Sequence, residues 1–291
     1  MQGKVIATDL DGTLFYPKKK IRMITKQTKS FMTKFIADGG KWVLVSSRGN
    51  SFLDKVKEKI GLPLDMIGSN GAYITSGGKQ IQDITFSPEE VKILIKDLYN
   101  RVHSPLIMLN AKGMPTIFLK YGSRPIPKFL YFSYELTQGV YREPWIRDDE
   151  TFYTQIEKRN AQRMMVWVSW SKRRTRRLRS ILQVAYPNFN FVDCQQFIEI
   201  TPRACSKASA LSFYLDYNRI KEDNLIVVGD SGNDVPMFTR FYENSYCMEH
   251  SKSSVKKKAK YIIKQVSDLE GLLYPSADSQ PKQKGDKNES N

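Results

Sequence analysis

The stretch Val5–Phe15, VIATDLDGTLF, decides how the rest of the chain is read. Val5-Ile6-Ala7 is a continuous apolar run, the pattern of a parallel strand covered on both faces. Asp9 and Asp11 follow at its end, and open α/β sheets bind their ligands just beyond the carboxyl ends of strands. Two carboxylates this close repel, so both ionise only around a cation, and otherwise one keeps a proton. A divalent metal and a phosphate ester would use both states. One carboxylate can ligate Mg²⁺ and attack phosphorus while the other shuttles a proton. The alternative is an acidic surface turn, since Asp-Gly is a common turn pair. An EF-hand fits worse, because the acid spacing stops after Asp11 and Gly12 comes too early.

Outward from this stretch the same grammar repeats. A helix over Thr25–Ala37, capped by Thr25, ends at Asp38-Gly39-Gly40. A buried strand, Lys41 to Val45, runs into Ser46-Ser47-Arg48-Gly49. A helix from Ser51 to Ile60 closes on Gly61, a strand covers Asp65 to Ile67, and Ala72 to Thr75 pairs back across the Asn70-Gly71 turn. This β-α-β-α-β order implies a doubly wound, mostly parallel sheet with right-handed crossovers. From about Thr85 the texture changes to helix (to about Val102), short strands (Leu106 to Leu109, Thr116 to Leu119), a helix over Pro127 to Gln138, a strand from Met164 to Ser169, a helix from Ser171 to Ala185 and a strand from Phe189 to Val192. That mixture reads as an inserted α+β module over residues 85–192, between core segments 1–84 and 193–274. The core resumes with Phe197 to Thr201, a helix from Ser206 carrying Lys207, and the strand Leu225 to Val228 entering Gly229-Asp230-Ser231-Gly232-Asn233-Asp234. Residues 275–291 hold almost no large apolar groups and read as a disordered tail.

Composition narrows the classes. The chain has 291 residues, 41 % of them hydrophobic, enough for one large or two ordinary domains. The net charge of +16 suggests an anionic partner or substrate and says nothing of fold. Three cysteines without CxxC spacing fit free thiols in a reducing compartment and argue against a thiolate zinc site. Two histidines leave little room for a serine triad. With no apolar leader and no run long enough to span a bilayer, the expectation is a cytoplasmic protein with no membrane partner. The helix from Ser171 is crowded with Lys172, Arg173, Arg174, Arg176, Arg177 and Arg179. A solvated basic face over Leu178, Ile181 and Leu182 is preferred to a nucleic-acid patch, because no aromatics are interleaved for base stacking.

Acids and small polar groups thus recur at strand ends, with one lysine at a helix start, as phosphoryl transfer requires. Asp9-Leu10-Asp11-Gly12-Thr13-Leu14 resembles the first motif of the haloacid dehalogenase superfamily of aspartate-nucleophile phosphatases. Val43 to Arg48 resembles the second, Lys207 the third, and Gly229 to Met237 the fourth. Ser69-Asn70-Gly71-Ala72 resembles a stretch of the Cof-type subgroup, in which an α/β cap lies between the second and third motifs. The resemblance spans roughly residues 3–273 and implies a Rossmann-like core with a cap that governs substrate choice.

By that likeness Asp9 is the nucleophile and Asp11 the proton shuttle, while Ser46 and Lys207 hold phosphoryl oxygens. Ser47, Arg48, Asn70 and Asn233 are further candidates for binding substrate, the alternatives being an ordinary Asn-Gly turn at Asn70 and a plain ion pair with an acid at Arg48. Mg²⁺ falls to Asp9, Asp11 (through its backbone carbonyl), Asp230 and Asp234. The expected substrate is a small phosphorylated metabolite, a sugar phosphate or similar monoester. The rival is a weakly active or inactive relative that binds a phosphorylated ligand or RNA through its basic cap. Two departures from the family pattern stand out. Ser47 replaces a usual glycine, and Met248-Glu249-His250-Ser251 stands where the subgroup shows Met-x-Asn-Ala. A chymotrypsin-like reading of Gly229 to Gly232 lacks its triad histidine and its all-β context, and a lone receiver domain would be shorter.

Overall fold

The computed structural model describes residues 1–17, 24–102, 106–111, 114–119, 148–158, 161–194 and 197–275. The helix expected over Pro127 to Gln138 and residues 276–291 of the expected tail lie outside these.

Two sheets organise the chain. The larger runs in the order β13-β12-β11-β1-β2-β3-β4-β5. Its strands are β1 (Val5–Thr8), β2 (Lys41–Val45), β3 (Asp65–Gly68), β4 (Tyr73–Ser76), β5 (Lys79–Asp83), β11 (Leu225–Gly229), β12 (Ser245–Met248) and β13 (Tyr261–Ile263). The first six in spatial order are parallel, and β4 and β5 turn back antiparallel at one edge. β1 is fully buried, as its unbroken apolar run requires. One face carries α1 (Lys26–Ala37) and α2 (Asn50–Ile60), with Phe31, Phe35 and Trp42 packed edge-on in their core. Thr25 caps α1 by accepting from the Thr28 N–H, and left-handed Gly61 ends α2, both as the sequence suggests. The other face carries α6 (Lys207–Asn218) and α7 (Val235–Arg240). The short helices α8 (Ser253–Lys256) and α9 (Leu269–Leu273) complete this part.

The second sheet has the order β7-β6-β8-β10-β9 and is antiparallel at every pairing. It comprises β6 (Leu106–Ala111), β7 (Met114–Leu119), β8 (Ala161–Trp167), β9 (Phe189–Cys194) and β10 (Phe197–Pro202). Helices α3 (Pro88–Arg101), α4 (Asp149–Lys158) and α5 (Lys172–Ala185) pack on it around Leu94, Leu98, Phe152, Leu182 and Phe189. The expected boundary at residue 193 falls inside this second sheet. β10 pairs with β8 and β9, so the second sheet runs on to Pro202. A short apolar strand reads alike in either module, and only its pairing assigns it. β8 also starts at Ala161, three residues earlier than its apolar run suggests, because Arg163 is buried against Glu199.

Candidate active site

The register of the large sheet assembles the site. Thr8 is level with Leu44 in β2 and with Val228 in β11, so the ends of three adjacent strands lie side by side. The Asp9 N–H donates to the Val228 carbonyl, which carries the pairing one residue past β1. The chain then turns sharply through Leu10–Leu14, where Gly12 takes φ +93°. A Cβ at Gly12 would fall 2.5 Å from Asp230 Oδ2, so glycine is required by conformation and by space.

Lys207 is the hub. It is the first residue of α6, behind a capping box made by Ser206 and Ser209, and it is 1 % exposed. Its Nζ donates to Asp9 Oδ1 at 2.7 Å and to Asp234 Oδ1 at 2.6 Å. Burial works against its charge, but the Asp234 and Asp9 carboxylates override that and hold its pKa above the ordinary lysine value. Carboxylate oxygens of Asp9, Asp230 and Asp234 lie within 4.8 Å of one another. Burial raises the Asp9 carboxyl well above the usual range despite Lys207, and the charges of Asp234 and Asp230 add to the rise. Asp230 is pushed up to about 6 by burial and then by Asp234, with a hydrogen bond from Thr13 opposing.

The three acids differ in what they offer. Both oxygens of Asp234 are engaged by protein donors. Oδ1 receives Lys207, and Oδ2 receives the N–H groups of Asp230 and Ser231. Asp234 therefore orients the loop and the lysine. Asp230 has Oδ1 bound by Thr13 at 2.9 Å, while Oδ2 faces Gly12 and lies 3.9 Å from His250 Nε2. The Asp11 carboxylate stands outside this cluster. Arg48 grips it with Nε at 2.9 Å and a second nitrogen at 3.3 Å, and Phe52 lies beneath the guanidinium. Three carboxylates around one ammonium leave an excess of negative charge and oxygen donors, which suits a hard divalent cation. Asp9, Asp230 and Asp234 are the side chains that could hold it.

The other expected residues fall around this centre. Ser46 is buried, and its Oγ accepts the Arg48 N–H at 3.1 Å, so the hydroxyl proton remains to be donated. The Ser46 carbonyl receives the Asn70 N–H. Ser69 and Asn70 are both left-handed, and the expected Asn-Gly turn is part of a three-residue helical turn, Ser69–Gly71. The buried Oδ1 of Asn70 has no hydrogen-bond partner among the described residues. Asn233 Oδ1 accepts from the Ser231 hydroxyl at 2.6 Å, which helps to shape the loop. Ser47 is half-buried and makes no hydrogen bond among the described residues.

The match to known proteins follows the site. The profile of the haloacid dehalogenase-like hydrolases fits residues 6–274. The chain belongs to this family. Among similar proteins, the 5-amino-6-(5-phospho-D-ribitylamino)uracil phosphatase YwtE of Bacillus subtilis is 21 % identical, with 93 % of this chain and 96 % of that one covered. Among solved structures, SMU.1108c of Streptococcus mutans UA159 superposes with a TM-score of 0.77 at 20 % identity, covering 94 % and 99 % of the two chains. The HAD subclass IIB sugar phosphatase BT4131 superposes with a TM-score of 0.74 at 17 % identity, covering 93 % and 98 %.

Sequence reasoning missed several contacts of this hydrolase. Thr13, quoted within the motif but given no role, fixes Asp230. His250, noted only as a departure, stacks on Tyr16 with ring centroids 4.0 Å apart at the rim of the site. Gln162 of β8 joins the two sheets by accepting from Asn50 at 3.0 Å and donating to Asp83. No local pattern marks these bonds, because Gln162 lies 112 residues from Asn50 and 79 from Asp83. No described helix is long and apolar enough to cross a membrane.

Proposed function

We propose that this hydrolase is a Mg²⁺-dependent phosphatase that cleaves a small phosphate monoester through an aspartyl-phosphate on Asp9. The observation that carries this is the buried Lys207 bridge, which holds Asp9 and Asp234 at hydrogen-bond distance beside Asp230. Lys207 fixes one Asp9 oxygen and leaves the other to attack phosphorus. As that bond forms, the bond from phosphorus to the leaving oxygen breaks, and Asp11 protonates the departing alcohol. Water then attacks phosphorus, Asp11 takes its proton, and inorganic phosphate leaves with Asp9 restored. Ser46 Oγ and Lys207 stabilise the phosphoryl oxygens. A bound Mg²⁺, held by Asp9 and Asp230 with the Asp11 carbonyl, supplies positive charge where negative charge develops.

Asp11 sits within reach of Arg48, so Arg48 positions the acid–base group. The substrate class rests on kinship with proteins named for phosphorylated sugars and ribityl compounds. The second sheet, joined to the core beside Asn50, is the cap that would select among them. The test is phosphate release from an aryl phosphate and a panel of metabolite phosphates, with Mg²⁺ and with EDTA. Asp9→Asn abolishes metal-dependent release with the fold intact by circular dichroism. An unchanged rate would overturn the assignment of the nucleophile.

A further inference from the structure

Nothing in the hydrolytic site uses α5. Its sequence, KRRTRRLRSILQVA, holds no acid, and Arg173, Arg174, Arg176 and Arg177 are exposed. Among the described residues these four have no acidic partner, whereas Arg179 pairs with Asp193 and Arg101 with Asp97. The sequence argument against a nucleic-acid surface was the lack of aromatics within the basic run. The fold brings them from outside it. Trp167 at the end of β8 and Trp170 in the loop that follows meet edge to face, with ring centroids 5.6 Å apart. Trp167 is buried and braces Trp170, which is 53 % exposed. Together with Arg174, Arg177 and Ile181 they line a groove of about 720 Å³. Ile181, expected beneath the helix, is instead 40 % exposed along this groove.

The groove lies away from the carboxylate cluster. Leu106 and Trp167 are paired at one end of β6 and β8, and Asn110 and Arg163 near the other. Asn110 is the residue that adjoins Gly49, beside the hydrolytic site. Four residues of strand separate the two ends, roughly 13 Å.

We propose that this groove binds a single-stranded polynucleotide, with one base stacked on Trp170 and the flanking phosphates on Arg174 and Arg177. A braced, half-exposed indole offers a flat face to any unpaired base, and neighbouring unpaired guanidiniums follow a phosphate backbone. A duplex keeps its base faces stacked inside and gains nothing from Trp170. The charge of the whole chain, +16, adds long-range attraction for the same polyanion. This site is independent of phosphate hydrolysis.

The test uses the full-length protein and fluorescein-labelled oligonucleotides, single-stranded RNA and DNA and a duplex of the same length, titrated by anisotropy over a range of salt. Single strands bind more tightly than the duplex and quench tryptophan fluorescence. Trp170→Ala weakens single-strand binding roughly tenfold, the scale of one lost base stack. The double variant Arg174→Glu/Arg177→Glu reduces the salt slope by about 1.4, from ~0.7 per phosphate contact in single strands. A control, Lys26→Glu/Lys29→Glu on α1, changes the net charge equally at exposed positions and leaves most of the binding. The proposal is overturned if the control weakens binding as much as the arginine variant, if Trp170→Ala has no effect, or if the duplex binds as well as single strands. It is also overturned if Trp170→Ala weakens binding to anionic vesicles but not to oligonucleotides. Aryl phosphate hydrolysis, measured alongside, is unchanged in Trp170→Ala and confirms that each variant is folded.

Discussion

Lys207 is the cation that lets three acids share one buried space. Replacing it by methionine would leave Asp9, Asp230 and Asp234 facing one another without it. Breaking a buried ion pair costs about 3–5 kcal/mol, so Lys207→Met in EDTA should lower the urea midpoint of unfolding by a corresponding amount. Added Mg²⁺ should recover part of the loss. Asp230 makes a second prediction, in pH. Its folded pKa of about 6 exceeds its ordinary value of 3.8, so the folded protein holds the proton more tightly. The stability this contributes is complete below the ordinary value and is lost as pH rises through about 6. In EDTA, the stability of the wild type relative to Asp230→Asn should therefore fall across that window, as thermal melts from pH 4 to 7 would show. At this scale the sequence was most informative. Asp9, Lys207, Asp230 and Asp234 come together as expected, because strand ends and a helix start are places that a chain advertises. Which acid Arg48 grips was not legible, since the reach of a long flexible side chain leaves no pattern.

At the scale of elements, the turn Ser69–Gly71 is the brace behind Lys207. Gly71 has φ +103°, and a Cβ there would lie 2.5 Å from the Ser206 carbonyl oxygen and 2.8 Å from the Ala210 Cβ. Gly71→Ala should destabilise the protein by at least about 2 kcal/mol, from strain and from pushing α6 away. The readout is urea unfolding, with a loss of turnover beyond the loss of folded protein. The Asn-Gly signal marked a turn correctly, but its three-residue form follows from its contact with α6, which a local reading does not contain. The same limit explains β10. Its apolar residues announce a strand, and only its pairing to β8 and β9 says which sheet owns it.

For the whole molecule, the junction between the sheets runs through Gln162, which bonds both Asn50 and Asp83. Gln162→Ala should leave each sheet folded and loosen one against the other. The expected result is a KM for the preferred phosphate raised several-fold with a smaller change in kcat, and faster limited proteolysis between residues 83 and 88. A change confined to kcat would place Gln162 in the chemistry instead. The change in texture after Thr85 marked where the antiparallel second sheet and its helices begin, whereas the meeting of Trp170 with a basic helix face depended on the sheet ends and was not legible.

The return path of the chain carries a consequence for how such a protein can change over generations. Only Arg203 to Ser206 separate the end of β10 from Lys207. Within that span the Arg203 N–H bonds Asn188 and the Cys205 N–H bonds Pro202. A single codon gained or lost there would turn the first residue of α6 by about 100°, at 3.6 residues per helical turn, and withdraw the ammonium from the acids. Length variation among descendants should therefore gather elsewhere in the chain and spare these four positions.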